Sequence, residues 1–361
     1  MSSPRAVHRA ALALGLLLAA GLSPGCAEAP SRHAGSAGDS WEAPRRRSEG
    51  PRSIPFAGGD PAAKGWVKVD GLLWVEAADA RAFAEGRVKT GDRYATFAEA
   101  DALPKTPADG YALRTDHVLL RTDVAFARAR ELARLAERHV GAVLGVFGDA
   151  LDLRLPADPL RIVVAARRTG YEAMLRQRVA SEVAWNAFYE AADGTVYACD
   201  ELGRNGGLPV ALDLDHEMVH ALLDLGRADA GRAALFGRPQ FWAWEAAAVW
   251  AEGLAESSDL RKGAERLARF RRRRAWGEVT PLAELVTLRQ DAFVGRHYDE
   301  TASFMAWLME ADGRRHRKGF LALLVEVMGG FGEVGSFERH LGLSPEDAQH
   351  RWLLALDASS R

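Results

Sequence analysis

The sequence predicts an α+β fold, in which a small mixed sheet with an edge hairpin packs on one central helix and a mainly helical lobe follows. Every strand-like segment lies before Asp213, and the residues after it show the apolar spacing of helices. Asp193-Gly194 separates two short apolar segments, which is a hairpin signal. The composition, 48% hydrophobic and 27% charged, is that of an ordinary globular protein.

The first 26 residues predict an export signal. Arg5 and Arg9 form a basic start, and the apolar run Ala10–Leu22 is too short to span a bilayer core of about 30 Å. The run ends in small residues before Cys26, an arrangement that resembles a bacterial lipoprotein signal in which the cysteine is lipidated. An ordinary cleavable secretory signal is the alternative. In both cases the protein leaves the cytoplasm.

Two segments separate this signal from the main domain. Residues 27–60 are rich in Ala, Pro, Ser, Gly and Arg, so they bury too little apolar surface to fold and predict a flexible linker. Residues 61–110 contain a faint internal repeat, with Val67–Val75 echoed by Val88–Thr96. Each copy has the pattern of a strand, a glycine turn and an aromatic second strand, which predicts a small β-hairpin module.

Residues 111–361 predict the main domain. β-Branched apolar runs indicate its strands, and apolar spacings of three and four indicate its helices. Ser344 before Pro345 predicts the N-cap of the last helix, and the run Arg271–Arg274 is typical of a solvated helix face. The other predicted elements are the strands His117–Arg121, Leu160–Ala165, Ala187–Glu190 and Thr195–Cys199, and the helices Val124–Phe147, Thr169–Trp185, Leu212–Leu225, Phe241–Ser257 and Glu300–Ala311.

Charge and cysteine content exclude some classes of function. The net charge of -2 gives no electrostatic reason to expect a nucleic-acid partner, because phosphate binding needs a surplus of Lys and Arg. The chain has 2 cysteines, which is too few for a disulfide scaffold. With Cys26 lipidated, Cys199 has no disulfide partner and is expected to be a buried thiol.

His216, Glu217 and His220 form an H-E-x-x-H motif inside the helix-compatible segment Leu212–Leu225. Residues four apart on a helix differ by about 40° around its axis, so both imidazoles project from one face and can share a metal ion. Zinc lowers the pKa of a bound water to about 7, and the neighbouring carboxylate can then take its proton as the water attacks a carbonyl. The motif therefore predicts a zinc site with Glu217 as general base.

Two glutamates in the predicted helix Phe241–Ser257 are candidates for the third zinc ligand. Glu245 and Glu252 are about two helical turns apart, so they share a face about 10 Å apart and cannot both bind one zinc. Glu252 is favoured because Glu256, one turn later, can accept the second N–H of a ligating imidazole and so fix its orientation. The residue one turn after Glu245 is Val249, which cannot do this. Glu245 stays open as the alternative.

The segments 216–220 and 250–256, with the sequences HEMVH and WAEGLAE, resemble the gluzincin zinc peptidases, and among them the peptidase-MA-like domains of exported bacterial proteins. Those domains carry an H-E-x-x-H helix and a later W-x-x-E-G-x-A helix, and the resemblance covers residues 111–361. It implies one zinc ion per chain. The implied ligands are His216, His220 and Glu252, and the implied general base is Glu217.

The resemblance also draws attention to Tyr298, which precedes the predicted helix Glu300–Ala311. Peptidases of this type use a Tyr or His from the later helices to stabilise the oxyanion of the tetrahedral intermediate. Resembling domains often have a Tyr at the corresponding place, so Tyr298 is a candidate catalytic residue. The alternative is an aromatic ring at a helix entry that only packs on the core.

Two hypotheses for the function follow. The first is an exported zinc metallopeptidase of the cell envelope, anchored to the membrane through Cys26 or else periplasmic or secreted, that hydrolyses peptides or proteins through a zinc-bound water activated by Glu217. The second is a non-catalytic envelope protein that keeps the peptidase fold as a binding or structural module. Zinc-dependent hydrolysis of another amide or ester is a weaker third hypothesis. None of them involves nucleic acid.

Lipidation of Cys26 can be tested in the native host. The wild-type protein should partition into detergent, because an acyl-modified N-terminus inserts into lipid, and Cys26→Ser should either release the protein or leave its signal uncleaved. Phase separation followed by mass spectrometry of the N-terminus measures both effects. Wild-type protein that is trimmed correctly and stays in the aqueous phase would instead indicate a plain secretory signal.

Overall fold

A computed structural model describes residues 60–155, 158–176, 186–201, 210–226, 239–252, 254 and 261–358. It has the predicted α+β fold, in which every described strand lies before residue 200 and the described elements after it are helices. The predicted signal and lipidation site at Cys26, nearly all of the predicted linker and the candidate Glu256 lie outside the described residues. Among the described residues, no helix is both long enough and apolar enough to cross a membrane.

The main sheet has seven strands in the order β1-β2-β5-β6-β7-β9-β8 within the described part of the chain. The pairs β6–β7 and β7–β9 are parallel and the other pairs are antiparallel, so the sheet is mixed. β3 and β4 form a separate two-stranded sheet. The strands are β1 (Trp66–Val69), β2 (Leu73–Glu76), β3 (Arg87–Thr90), β4 (Arg93–Thr96), β5 (Tyr111–Arg114), β6 (Val118–Thr122), β7 (Leu160–Ala165), β8 (Ala187–Glu190) and β9 (Thr195–Cys199).

The helices of the described residues surround this sheet and then form the C-terminal lobe. They are α1 (Ala77–Ala84), α2 (Phe97–Ala102), α3 (Phe126–Val143), α4 (Arg168–Arg176), α5 (Val210–Leu225), α6 (Phe241–Ala251), α7 (Arg261–Ala275), α8 (Leu282–Leu285), α9 (Gly295–Glu310), α10 (Arg317–Met328), α11 (Ser336–Leu341) and α12 (Pro345–Ala358). The backbone N–H of Asp347 donates to the Ser344 hydroxyl, which is the predicted N-cap of α12.

The two copies of the internal repeat have the same local structure. In each, two antiparallel strands precede a short helix, giving β1-β2-α1 and β3-β4-α2. Thr96 and Glu99 cap the second helix reciprocally, since each side chain bonds the backbone N–H of the other residue. The hairpins differ in their surroundings, because β2 pairs with β5 at Trp74 and Arg114 and so joins the first hairpin to the main sheet.

Alternating side chains of the central strands separate two apolar layers. Ile162 and Val164 of β7 face the main core, in which α3 and α5 pack on the sheet. Val163 and Ala165 face the smaller cluster under α4 on the opposite side. This smaller cluster includes Cys199, a free and buried thiol as predicted, and burial raises its pKa.

Two predicted helix boundaries differ from the structure in ways that affect the site. The helix of Phe241 ends at Ala251, so Glu252 caps its C-terminus instead of lying inside it. The helix predicted to start at Glu300 starts at Gly295, because the ring Nδ1 of His297 accepts a hydrogen bond from the backbone N–H of Val294 and caps the first turn. An imidazole is not among the usual N-cap groups, so the sequence did not indicate this start.

Candidate metal centre

Helix α5 presents the H-E-x-x-H motif from the core toward α6. Met218 and Val219, between the two histidines, are 0% exposed and anchor the helix in the main core. His216 and His220 are on one face, as their spacing predicted, with ring centroids 4.7 Å apart and ring planes at 85°. Their Nε2 atoms are 3.0 Å apart. Glu217 is less deeply buried than its neighbours.

Helix α6 brings Glu245 to the two imidazoles. Glu245 Oε2 lies 3.1 Å from Nε2 of His216, and Glu245 Oε1 lies 3.6 Å from Nε2 of His220. Ligand atoms of these three residues all lie within 4.8 Å of one another. Glu245 is only 6% exposed, in a helix that is otherwise apolar in every described position. A carboxylate at this depth is costly unless it is paired, so the imidazoles are what make its burial tolerable.

This group has the size that a zinc ion requires. Zinc binds imidazole nitrogen and carboxylate oxygen at about 2.0–2.2 Å in tetrahedral geometry, so neighbouring ligand atoms are about 3.3 Å apart. The two Nε2 atoms are 3.0 Å apart, and the two oxygens of Glu245 lie 3.1 Å from Nε2 of His216 and 3.6 Å from Nε2 of His220, which are values close to that separation. Two histidines with one glutamate are also a ligand set found in catalytic zinc sites, where a fourth position is left for water or substrate.

Glu252, which was predicted as the third ligand, lies at the opposite edge of the His216 ring. Its Oε1 is 2.9 Å from Nδ1 of His216, the nitrogen that faces away from Glu245. Glu252 therefore stands where the sequence analysis expected Glu256, as the acceptor that orients a ligating imidazole through its second nitrogen. Of the two candidates that the sequence left open, the geometry favours Glu245 as the third ligand.

The acidic neighbours change the protonation of the site. Burial alone would lower the pKa of His216, but hydrogen bonds and charges of Glu245 and Glu252 raise it to about 10. Burial alone would raise the pKa of Glu245, but the charges and hydrogen bonds of His220 and His216 lower it to about 2. The metal-free site thus holds a proton on His216 at neutral pH. A metal that binds Nε2 must displace this proton, so its affinity should rise with pH up to about 10.

His220 is oriented by stacking. The indole of Trp244 lies parallel to its ring, with centroids 4.9 Å apart and planes at 8°. Among the described residues, Nδ1 of His220 has no hydrogen-bond partner, whereas Nδ1 of His216 has Glu252. The two imidazoles are therefore held by different means, one by an aromatic face and the other by a carboxylate.

Glu217 contacts the edge strand of the main sheet. Its Oε2 accepts a hydrogen bond from the backbone N–H of Tyr189 on β8 at 2.8 Å. The Tyr189 hydroxyl donates in turn to Asp224, one turn beyond His220 on α5, at 2.6 Å. These two bonds fix α5 against β8. They place the predicted general base beside an edge strand that, in the described part of the chain, pairs only with β9.

Tyr298 lies in the first turn of α9, with its ring centroid 6.2 Å from that of His216. Burial and the charges of Glu245 and Glu217 hold the pKa of Tyr298 well above its usual value of 10, so its hydroxyl keeps its proton at neutral pH. No hydrogen bond of this hydroxyl to another described residue is present. It is a donor that can serve a substrate oxygen.

The sequence contained one signal for Glu245 that its neighbours obscured. Trp242 stands three residues before Glu245, the W-x-x-E spacing of the resembling domains, whereas Trp250 stands only two before Glu252. In that pattern a glycine follows the glutamate, but Ala246 follows Glu245 here. Glu252 is followed by Gly253 and so matches the E-G part of the pattern. No pattern in the sequence singles out Arg266, whose guanidinium contacts Glu252.

No protein-family model matches the chain, and a search of curated proteins finds no significant match.

Zinc binding by single variants tests the ligand assignment. Glu245→Gln should lose stoichiometric zinc, because an amide is a poor ligand for this ion and the set falls to two histidines. Glu252→Gln should retain zinc with about 10- to 100-fold lower affinity, as expected for loss of an orienting acceptor. Competition against a chromophoric chelator measures both values. Stoichiometric, tight zinc in Glu245→Gln together with its loss in Glu252→Gln would return the ligand role to Glu252.

Proposed function

We propose that the protein is an exported zinc-dependent metallopeptidase, with His216, His220 and Glu245 as the metal ligands and Glu217 as the general base. The observation that carries the proposal is the convergence of two imidazoles and one buried carboxylate at separations suited to one zinc ion. Zinc would supply a Lewis acid that polarises a carbonyl and makes water acidic enough to lose a proton at neutral pH.

Glu217 has the position and freedom that the base needs. Tyr189 N–H binds Oε2 and fixes the carboxylate, while Oε1 has no hydrogen-bond partner among the described residues. In the proposed reaction Oε1 takes a proton from the attacking water and later delivers it to the leaving amine. Glu217 follows the proposed ligand His216 in sequence and is not one of the three residues whose ligand atoms converge.

The edge strand β8 gives the proposed substrate a place to bind. Peptides often add to an exposed strand edge through main-chain hydrogen bonds, and β8, which pairs only with β9 in the described part of the chain, lies beside Glu217. An extended peptide along β8 would pass the base and the metal ligands. This arrangement favours a peptide or protein substrate over a small amide or ester.

Tyr298 is the proposed electrophile. Its protonated hydroxyl has no partner among the described residues, and its ring centroid lies 6.2 Å from that of His216. A donor in this position can stabilise the negative charge that develops on the carbonyl oxygen. The proposed location outside the cytoplasm rests on the N-terminal signal and its Cys26.

Replacing the base separates an enzyme from a binding module. Glu217→Gln keeps the size of the side chain and the hydrogen bond from Tyr189, so zinc content and thermal stability should match the wild type. Hydrolysis of a peptide library should fall by at least the 10²- to 10⁴-fold typical of a lost general base. Mass spectrometry of the products measures the cleavage. Equal cleavage by both proteins would reject this site, and zinc binding with no cleavage by either would favour the binding module.

Tyr298→Phe tests the proposed electrophile. Loss of one oxyanion donor should lower kcat about 10²- to 10³-fold while KM changes little, because the hydroxyl acts on charge that appears only in the transition state. The ring and its packing against Phe293 are retained, so stability should not change. Steady-state kinetics on the best cleaved peptide provide the measurement. An unchanged kcat would mean that Tyr298 only packs on the core.

A further inference from the structure

The side chain that secures Glu252 comes from helix α7. Arg266 Nη2 lies 3.1 Å from Glu252 Oε1, and Arg266 Nε lies 3.3 Å from Glu252 Oε2, so guanidinium and carboxylate meet through two pairs of atoms. Both side chains are nearly buried, at 12% and 3% exposure. Paired contacts of this kind restrict the orientation of a carboxylate more than a single point charge does. Arg266 therefore restricts the orientation of the Glu252 carboxylate.

Arg266 is itself held from the opposite side by helix α9. Its Nη1 lies 3.5 Å from Oδ1 of Asp299, a residue that is 2% exposed. Arg269 and Arg273, further along α7, bind the same carboxylate at 2.7 Å each. Asp299 thus receives enough positive charge to stay ionised, and it anchors Arg266 between two buried acidic groups. Asp299 thus contacts Arg266, and Arg266 contacts Glu252. Glu252 in turn contacts the His216 ring, so acidic and basic groups alternate from α9 to the proposed metal ligand.

The same guanidinium also contacts the proposed electrophile. Its central carbon lies 5.9 Å from the ring centroid of Tyr298, within the range of cation–π contacts. Tyr298 is adjacent to Asp299 in sequence, so the segment that anchors Arg266 also carries the tyrosine. Arg266 thereby contacts both Glu252, which is hydrogen-bonded to His216, and the ring of Tyr298.

We propose that Arg266 is a positioning residue of the metal centre, which acts on the metal through Glu252 and His216. It holds the Glu252 carboxylate against Nδ1 of His216, and this contact directs Nε2 toward Glu245 and His220. The inference rests on the proposed function for its metal, but it concerns residues that do not bind the metal themselves. Without Arg266, Glu252 would be a buried carboxylate with one partner fewer, and its contact with His216 would restrict its orientation less than the paired contact does.

Substitutions of Arg266 in the full-length protein test this role by metal binding, independently of catalysis. Arg266→Met keeps most of the aliphatic length and removes the charge, and it should weaken zinc binding about 10-fold or more. Arg266→Lys keeps the charge but loses the paired contact, and it should show a smaller loss. With Co²⁺ in place of zinc, the visible absorption bands of both variants should shift, because the ligand field reports the orientation of His216.

Arg274→Met is the matched control. Arg274 lies on the same helix and pairs with a carboxylate, Asp357, at 2.7 Å, but eight residues beyond Arg266 and therefore about 12 Å further along the axis. Its zinc affinity and Co²⁺ spectrum should match the wild type. Thermal unfolding in excess chelator shows whether each apoprotein is folded. If Arg266→Met does not fold, the zinc affinity and Co²⁺ spectrum of Arg266→Lys provide the test of the proposal.

A double variant distinguishes action through Glu252 from a separate effect on the fold. If Arg266 acts through Glu252, then Arg266→Met should reduce zinc affinity little further in a Glu252→Gln background. The proposal would be overturned if the losses of zinc affinity in the two single variants multiplied in the double variant. It would also be overturned if every folded Arg266 variant had the zinc affinity and Co²⁺ spectrum of the wild type. Either result leaves the proposed peptidase intact, provided that the wild type binds zinc and cleaves peptides. A wild-type protein that binds no zinc would overturn both proposals.

Discussion

The packing of α5 against α6 depends on the contact between one imidazole and two buried carboxylates. Glu245 and Glu252 are 6% and 2% exposed, at opposite edges of the His216 ring. An unpaired carboxylate in this interior would cost several kcal/mol, and removing the imidazole would leave Glu245 with His220 and Glu252 with Arg266 as their remaining charged partners. The helices therefore cannot slide past each other by even one turn without breaking a charged contact. Every other feature of the site takes its position from this register.

Small side chains make that close register possible. Between its aromatic start and Glu252, α6 is largely alanine, and five of these alanines are 0% exposed. Short side chains let neighbouring helices approach closely, so a glutamate of moderate length can reach the imidazoles. The tryptophans serve two purposes in the same helix: Trp242 fills the core beside Phe304 and Phe320, and Trp244 stacks on His220. The helix thus packs in the core and supplies Glu245 to the metal group, which explains why its sequence shows no polar face.

Local patterns in the sequence predicted the local structure well. The bounds of β7, β8 and β9 agree with the predicted strands, because β-branched runs and the Asp193-Gly194 turn determine them over a few residues. The helical spacing of the H-E-x-x-H motif likewise predicted that both imidazoles share a face. The choice between Glu245 and Glu252, in contrast, depends on tertiary structure. The spacing places both on one face of the predicted helix Phe241–Ser257. Only the position at which α6 crosses α5 decides which glutamate meets Nε2, and the spacing of residues along one helix does not contain this tertiary property.

The arginines of α7 show the same limit and bear on the function. The run Arg271–Arg274 was expected to be a solvated face, and Arg271 and Arg272 are exposed, but Arg273 turns inward to Asp299. Arg266 and Arg269 also contact Asp299. They share a helix face with Arg273 and lie outside the run. Stability alone does not account for such a chain of buried charges, because apolar residues of similar volume in place of a buried ion pair are often neutral or stabilising. The proposed metal ion would account for it. The chain ends at His216, and a cation bound at Nε2 would complete the alternation of charges from α9 to Glu245.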